Sequence, residues 1–369
     1  MNESFVSHRD LSDFGLWDKT GNRRIPLSFD IEITARCNNN CRHCYINLPG
    51  SDETAREKEL TPHEIGELAK EAVSLGSLWC LISGGEPLLR DDFEEVYIAL
   101  KKAGLLVSVF TNATLITDNH IKLFKKYPPR DIEVTVYSVT EKTYGRVTRR
   151  PDLFQSFKEG LENLYHSGIK VRLKTMALRS NLSELKEIEK FCRKFTKDFY
   201  RFDPFLHLRY DRDHLKNRQI AAERLNVDEI IELEQKDPKR WAILIKKCRG
   251  SFEQVAIRDH NNLIFQCNAG NKSFSVGYDG GLRICSSFHN ASYIYNLRHG
   301  SLKEAWNQFI PKIRKLHAKR NDYTDKCGSC ALIDLCFWCP AHAYLETGEP
   351  DAPVDYFCQI AKARKASLE

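Results

Sequence analysis

Three closely spaced cysteines follow the first apolar segment of the chain and constrain its fold and chemistry more than any other feature. Cys37, Cys41 and Cys44 form the motif CNNNCRHC directly after the apolar stretch 26–34. Three thiolates can hold three irons of a [4Fe-4S] cluster, which leaves the fourth iron open to a small molecule. Zinc is the alternative, but a structural zinc ion needs four closed ligands, and His43 is sterically a poor fourth one. We therefore predict a cluster with one open iron.

Composition and charge narrow the class of protein. The 369 residues are 42% hydrophobic and 29% charged, with a net charge of +6 and no long basic tract, so we predict a globular protein that binds no nucleic acid. No apolar run reaches the length of a membrane span and the N-terminus lacks a signal sequence, so we expect a cytoplasmic location without membrane contact. In that reducing compartment, thirteen cysteines favour metal ligation over disulfides.

Apolar runs of strand length alternate with helical patterns between residues 26 and 210, which predicts successive βα units and a parallel sheet. The six predicted strands are 28–34, 79–83, 105–111, 131–138, 170–177 and 199–209. The five predicted helices between them are 61–75, 91–103, 118–126, 153–167 and 182–195. We expect an N-terminal extension at 1–25, a linker with one helix at 211–266, and a small cysteine-rich domain at 267–369 that is held by metal rather than by a large core.

The cysteine motif, placed after the first of these strands, resembles that of radical S-adenosylmethionine (radical SAM) enzymes. In that family SAM chelates the open iron and is reductively cleaved to a 5'-deoxyadenosyl radical. The resemblance implies an α/β fold with a partial (β/α)6 TIM-like barrel over 26–210. Because the chemistry of parallel barrels collects at the C-terminal ends of the strands, the site is expected there.

Further SAM contacts are implied by the same resemblance. The segment Ser83-Gly-Gly-Glu-Pro87 is similar to the family's GGEP motif, which binds the SAM amino group; Gly84 and Gly85 would let the backbone approach a ligand, and Glu86 would supply an anionic acceptor. Other expected cofactor contacts are His43, Tyr45, Asn112, Ser138 and Lys174. The family's usual arginine stays open among Arg146, Arg149 and Arg150.

Seven cysteines near the C-terminus resemble the SPASM domain, the auxiliary-cluster module of peptide-modifying radical SAM enzymes. By this resemblance, one set would hold a distal [4Fe-4S] cluster: Cys327, Cys330, Cys336 and Cys358. A second set would hold a nearer cluster: Cys267, Cys285 and Cys339. Two residues separate Cys336 from Cys339 where three are usual, and the nearer cluster lacks a fourth cysteine unless Cys248 reaches it. A zinc ribbon is the alternative, since paired CxxC motifs also suit zinc.

The resemblance implies an oxygen-sensitive oxidoreductase that abstracts a hydrogen atom from a peptide or protein, with crosslinking or another oxidative maturation as the outcome. Its partners would be a flavodoxin- or ferredoxin-like reductant and a separate leader-binding protein, because the 25 residues before the first strand are too few for an independent domain, which needs roughly 40.

Three alternative functions stay open. A peptide Cα epimerase would need a hydrogen-atom donor, and Cys80 or Cys192 could serve unless both are buried small hydrophobes. A sulfatase-type maturase usually has an aspartate where Ser286 stands, so Asp203 or Asp279 would have to replace it. A non-enzymatic iron-sulfur electron carrier would leave the GGEP-like segment unexplained.

Overall fold

A computed structural model describes residues 20–21, 23–196, 200–254 and 262–368, with the side chains of 247–254 outside the description. Nine strands of the described part form one sheet. They are β1 Ser28–Thr34, β2 Trp79–Gly84, β3 Leu106–Thr111, β4 Asp131–Thr135, β5 Val171–Met176, β6 Tyr200–Asp203, β7 Ser273–Val276, β8 Gly281–Arg283 and β9 Tyr295–Asn296.

The strand order is β9-β8-β7-β1-β2-β3-β4-β5-β6. Strands β1 to β6 lie in chain order and each is parallel to the next. On the other side of β1, β7 is parallel to it, while β8 and β9 run antiparallel to their neighbours. Strands β6 and β9 are the edges, so the sheet stays open within the described residues. The predicted α/β fold with a partial six-unit barrel is confirmed.

Helices cover the outer face of the sheet and fill the C-terminal half. Besides shorter turns they are α1 Glu53–Lys58, α2 Pro62–Ser74, α3 Phe93–Lys102, α4 Asp118–Lys126, α5 Glu141–Thr148, α6 Phe154–His166, α7 Leu185–Phe195, α8 His214–Glu223, α9 Val227–Gln235, α10 Pro238–Gln254, α11 Ile310–Arg314, α12 Pro340–Thr347 and α13 Asp355–Leu368. A capping box of Thr61 and Glu64 starts α2, with Pro62 in its first turn. Within the described ranges, no helix is both long and apolar enough to cross a bilayer.

Apolar and polar side chains alternate along the strands, so the outer face of the sheet is apolar and its inner face is polar. On β1, Phe29, Ile31 and Ile33 are at most 1% exposed and belong to the main hydrophobic core, whereas Asp30 and Glu32 alternate with them. Glu32 lines a cavity beside the β7–β8 hairpin. The inner face of the open barrel therefore carries charged side chains, and ligand chemistry is possible there.

Some predicted boundaries were wrong. The fourth strand stops at Thr135 rather than 138 and the sixth at Asp203 rather than 209, because each chain then turns into a side-chain-capped loop. The linker has three helices rather than one, since N-caps at Asp213 and Asn226 start α8 and α9 ahead of α10. Helix α5 was not predicted.

Candidate active site

A cavity of about 270 Å³ lies at the C-terminal ends of the parallel strands. Nine of the predicted cofactor and cluster residues line it: Cys37, Cys41, His43, Cys44, Tyr45, Gly84, Gly85, Asn112 and Lys174. Tyr137, Asp203 and His207 share this lining although the sequence did not single them out as cofactor contacts. The strand topology therefore gathers at one point residues that are up to 170 positions apart.

The cysteine loop is held at both ends by buried groups. Arg36–Cys37 pairs with Leu48–Pro49 as a short parallel ladder. The guanidinium of Arg36 forms an ion pair with Glu59 at 2.8 Å and donates to the Gly50 carbonyl at 3.2 Å. Further along, backbone N–H groups of residues 40 and 42 donate to the carbonyls of residues 148 and 147 at the end of α5. These contacts therefore attach both ends of the loop to the rest of the protein.

Several donors point at the thiol sulfurs. The Asn39 N–H lies 3.4 Å from Cys37 Sγ, and the Asn112 side-chain amide lies 3.9 Å from the same sulfur. The Asn47 N–H lies 3.3 Å from Cys44 Sγ. Burial raises the pKa of all three thiols, and neighbouring thiols raise it further at Cys37 and Cys41. Positive iron would offset both effects, so the loop suits a cationic ligand that binds thiolates.

Among the residues that the structure describes, no group of three His, Cys, Asp or Glu side chains is placed to hold a single metal ion. Beside the thiols, His43 has a buried Nδ1 without a hydrogen-bond partner in the described part, and burial lowers its pKa to about 4. A neutral ring with an unused nitrogen suits a ligand in this cavity.

Gly84 and Gly85 line the cavity, and they also allow two backbone segments to approach each other closely. A Cβ at Gly84 would lie 2.1 Å from the Thr34 carbonyl oxygen, and one at Gly85 would lie 2.2 Å from that of Arg36. Gly84 also has a φ of 129°, a region that favours glycine. The turn after β2 therefore packs directly under the cysteine loop, which only glycine permits.

Glu86 is not among the residues that line the cavity, and its contact with SAM stays a prediction. Its carboxylate is fully buried and accepts from the Leu88 N–H, the Thr111 hydroxyl and the Asn112 N–H at 3.1, 2.8 and 2.7 Å. Burial raises its pKa to about 7 while these donors lower it. Glu86 thus ties the turn after β2 to the end of β3, and it places Asn112 beside Cys37.

Ser138 also lies away from the cavity, whereas Lys174 lines it. The Ser138 hydroxyl donates to the Glu184 carboxylate and to the Thr140 carbonyl, and it caps the loop before α5. The Lys174 ammonium lies 2.6 Å from Glu133 and 3.7 Å from the centre of the Phe110 ring. Burial lowers its pKa, and Glu133 opposes that shift. Of the two, only Lys174 presents a cation to a ligand.

The three candidate arginines point elsewhere. None lines the cavity. Arg150 donates to the Asn38 carbonyl at 2.7 Å and pairs with Asp152. Arg146 donates to the Ser180 carbonyl, and Arg149 donates to a glutamine. Arg150 therefore supports the cysteine loop through the Asn38 carbonyl, and the residue that binds the SAM carboxylate stays a prediction.

The C-terminal cysteines fall into two electrostatically coupled groups. The pKa of Cys327 is raised by burial and then by Cys358, Cys336 and Cys330. The pKa of Cys339 is raised by burial and then by Cys285 and Cys267. The groups divide in the way that the resemblance implies, and the shortened Cys336-x2-Cys339 spacing still sends its two cysteines to different groups. The side chain of Cys248 lies outside the described residues.

Cys80 and Cys192 are 1% and 0% exposed and belong to the hydrophobic core on the outer face of the sheet. On β2, Cys80 and Ile82 face the helices, while Ser83 faces the cavity. Both cysteines are therefore buried small hydrophobes, and neither is placed to give a hydrogen atom to a substrate in the cavity.

A second cavity of about 310 Å³ adjoins the first, with Tyr45 and Ile46 in the lining of both. It lies between the cysteine loop and the hairpin β7–β8. Glu32 and Arg283, buried partners, face it, as do Tyr210 and Asp279. The sequence offered no motif for this space, because β1 and β8 lie about 250 residues apart in the chain.

Comparisons with known families agree with the site. Residues 31–192 match the family model of the radical SAM superfamily, and residues 267–331 match that of the SPASM iron-sulfur cluster-binding domain. The chain therefore contains a radical SAM domain and, towards its C-terminus, a SPASM domain. Its cofactors are a [4Fe-4S] cluster with SAM, together with auxiliary iron-sulfur clusters.

The named proteins that this chain resembles have several different activities. The chain is 23% identical to an AdoMet-dependent heme synthase of Methanosarcina barkeri, over 86% of this chain and 92% of that protein. It is 33% identical to a probable GTP 3',8-cyclase of Methanothermobacter marburgensis, over 47% of this chain and 56% of that protein. Among solved structures, Streptococcus suis SuiB bound to S-adenosylmethionine aligns with a TM-score of 0.66 at 16% identity, covering 94% and 80% of the two chains. The enzyme anSMEcpe with bound AdoMet aligns at 0.62 and 16%, covering 93% and 98%.

Proposed function

We propose that this radical SAM enzyme oxidises a side chain of a ribosomally made peptide, with a crosslink or a comparable two-hydrogen loss as the product. When bound, the cluster and SAM supply a radical that abstracts a hydrogen atom from carbon. The observation that carries the proposal is the position of the nearer auxiliary cysteines. The His342 N–H donates to Cys339 Sγ at 3.4 Å, and the His342 ring contacts His207 in the SAM cavity. An electron acceptor would therefore border the substrate.

The chain's own residues would bind and orient the cofactor. Cys37, Cys41 and Cys44 would hold the cluster, and Lys174 would meet the SAM carboxylate. The backbone of Gly84 and Gly85 would face the SAM amino group. The fourth ligand of the nearer auxiliary cluster stays unassigned.

The shape of the interior supports a peptide side chain as the reacting group. Tyr45 and Ile46 divide the space into two cavities of about 270 and 310 Å³. A single side chain can enter the cavity of about 270 Å³, here called the inner cavity, while the adjoining peptide lies in the cavity of about 310 Å³, the outer cavity. The outer lining mixes acidic, basic and aromatic side chains, which suits backbone amides and polar groups. A wide planar ring would have to displace Tyr45 or Ile46.

Two other substrate chemistries have weaker support. Radical epimerisation needs a hydrogen donor in the cavity, and Cys80 and Cys192 face the core instead. A tetrapyrrole is the second candidate, because the likeness to the heme synthase of Methanosarcina barkeri spans 92% of that protein. A flavodoxin- or ferredoxin-like reductant and a separate leader-binding protein complete the proposal.

The test starts with anaerobic purification and iron and sulfide analysis, where three [4Fe-4S] clusters correspond to about twelve irons. Peptides encoded beside the gene and Fe-coproporphyrin III are then incubated separately with SAM and dithionite and analysed by mass spectrometry. A peptide that loses two hydrogens supports the proposal. Conversion of the tetrapyrrole with every peptide unchanged overturns it, and solvent deuterium at a Cα would indicate epimerisation. The triple variant C37A/C41A/C44A, which keeps the SPASM cysteines, is the matched control.

A further inference from the structure

An open groove of about 650 Å³ lies at the N-terminal ends of β4 and β5, which is the opposite end of the sheet from the cysteine loop. The last turns of α6 and α7 complete its walls. Strand β5 runs from Val171 in the groove to Met176 in the SAM cavity, a rise of about 17 Å at roughly 3.3 Å per residue. A ligand in this groove is therefore too far from SAM to be the group that reacts.

Positive charge dominates the lining of the groove. Its four cations are Arg130, Lys170, Arg172 and Lys194, and its one carboxylate is that of Asp131. Asp131 is 2% exposed and lies 3.7 Å from Arg130 and 3.5 Å from Arg172, so its charge is already balanced. In the part of the chain that the structure describes, none of the ion pairs involves Lys170 or Lys194. These two exposed lysines therefore give the groove a positive charge that no described carboxylate balances.

The ends of helices account for only part of this charge. Lys194 lies in the last turn of α7, where a cation is favourable beside the unpaired carbonyl groups of the helix. Arg130 and Lys170 instead come directly before β4 and β5, and Arg172 belongs to β5. Because none of these three lies in the last turn of a helix, a ligand of opposite charge is the better explanation for their position.

The groove suits an acidic peptide better than other anionic partners. Tyr165 is 44% exposed in the groove, and its ring centre lies 5.3 Å from that of Phe195 in an edge-to-face contact. A concave site with aromatic rings and a few charged groups is typical of ligand recognition by individual side chains. A reductant has to approach a cluster closely, which this end of the sheet does not allow. A nucleic acid would need a longer row of phosphate contacts than one groove with four cations offers.

We propose that this groove binds an acidic segment of the peptide substrate, outside the residue that reacts. The inference rests on the proposed peptide substrate, and it adds a docking site for the part of that peptide that is not modified. Glutamate or aspartate side chains of the segment would pair with Lys170 and Lys194, and an apolar side chain would pack on Tyr165. Because these charge pairs form at an exposed rim, they mainly increase the rate of association, and salt weakens them.

The experiment measures binding and needs neither turnover nor an identified substrate. The probe is a fluorescein-labelled peptide of glutamate, leucine and glycine, and its counterpart has glutamine at every glutamate position. Fluorescence anisotropy follows the binding of each probe to the reconstituted full-length enzyme at low and at high salt. We expect K170Q/K194Q to bind the acidic probe about tenfold more weakly at low salt, as for the loss of two exposed charge pairs. The matched control K186Q/K190Q removes two exposed lysines of α7 outside the groove and should bind like the unchanged enzyme.

The outcomes separate this inference from the proposed function. Equal affinity of K170Q/K194Q, K186Q/K190Q and the unchanged enzyme for the acidic probe overturns the docking site, and so does equal affinity of the unchanged enzyme for both probes. A labelled single-stranded oligonucleotide that binds more tightly than the acidic probe, and that also depends on Lys170 and Lys194, would indicate a nucleic-acid site instead. Circular dichroism and iron content show that each variant has folded. If the acidic probe depends on the two lysines while no peptide is modified, the groove is an acidic-peptide site and only the proposed oxidation fails.

Discussion

Replacement of Arg283 by methionine is expected to destabilise the protein strongly, because it leaves a buried carboxylate without its partner. The side chains of Arg283 and Glu32 are 5% and 3% exposed, and they pair between β8 and β1. Removal of one member of a buried ion pair costs about 3–5 kcal/mol. Arg283 stands two residues before Cys285, and Glu32 five before Cys37, so the pair joins the strands that lead to the two cluster regions. Its loss should therefore also lower the iron content.

The pH dependence of the stability loss should differ between a variant of Arg283 and a variant of Glu32. Burial raises the pKa of Glu32, and Arg283 counteracts this rise. In R283M the folded-state pKa of Glu32 rises further, so the penalty acts above that pKa and is relieved as the pH falls through it. The deficit of R283M should thus shrink as the pH falls. In E32Q no carboxyl titrates at this position, so its deficit should change less.

The measurement is anaerobic urea unfolding of the reconstituted enzyme, followed by tryptophan fluorescence at several pH values. R320M is the matched control, because Arg320 pairs with Asp322 on the surface at 44% and 38% exposure. An exposed pair contributes about 0–1 kcal/mol. A loss of less than about 1 kcal/mol in R283M would contradict the assignment of a buried pair. So would a parallel pH dependence in R283M and E32Q.

Two further variants test the cysteine loop and the SAM contact. G85A should abolish cluster loading, since its Cβ would lie 2.2 Å from the Arg36 carbonyl oxygen. In G104A no heavy atom lies within 4 Å of the new Cβ, so only backbone strain of about 1 kcal/mol is expected; iron analysis and unfolding compare the two. K174Q should weaken SAM binding roughly tenfold, as for a lost hydrogen bond between charged groups, whereas exposed K170Q should not. An unchanged Kd for K174Q in equilibrium dialysis would reject that contact.

The strands and helices of the barrel could be predicted because their patterns are local. Strand β1 lies at its predicted range, 28–34, and helix α4 at its predicted range, 118–126. Ends of strands were less predictable. Apolar alternation continues through Val136 and Tyr137, but the backbone turns there because Glu184, 46 residues away, binds the Ser138 hydroxyl. No local sequence pattern predicts a partner so distant in the chain.

Cysteine spacing carried more information than any other part of the site. The loop cysteines line one cavity, and the C-terminal cysteines divide into two groups, although their ligand roles stay proposals. Glu86 is different, since its motif predicts a ligand contact while its three donors come from the protein. A motif therefore locates a functional segment more reliably than it assigns each side chain within it.

Strand topology explains why the remaining residues escaped prediction. Because β7 pairs with β1 and not with an edge of a separate domain, the hairpin that precedes Cys285 lies against the strand that precedes Cys37. The same packing places α12, whose N-cap is Cys339, against the segment after β6 that carries His207. A lone histidine has no spacing signal, so only this arrangement shows that it lies between two cluster sites. The shared sheet thus brings the two cysteine-bearing regions together, which neither cysteine motif alone predicts.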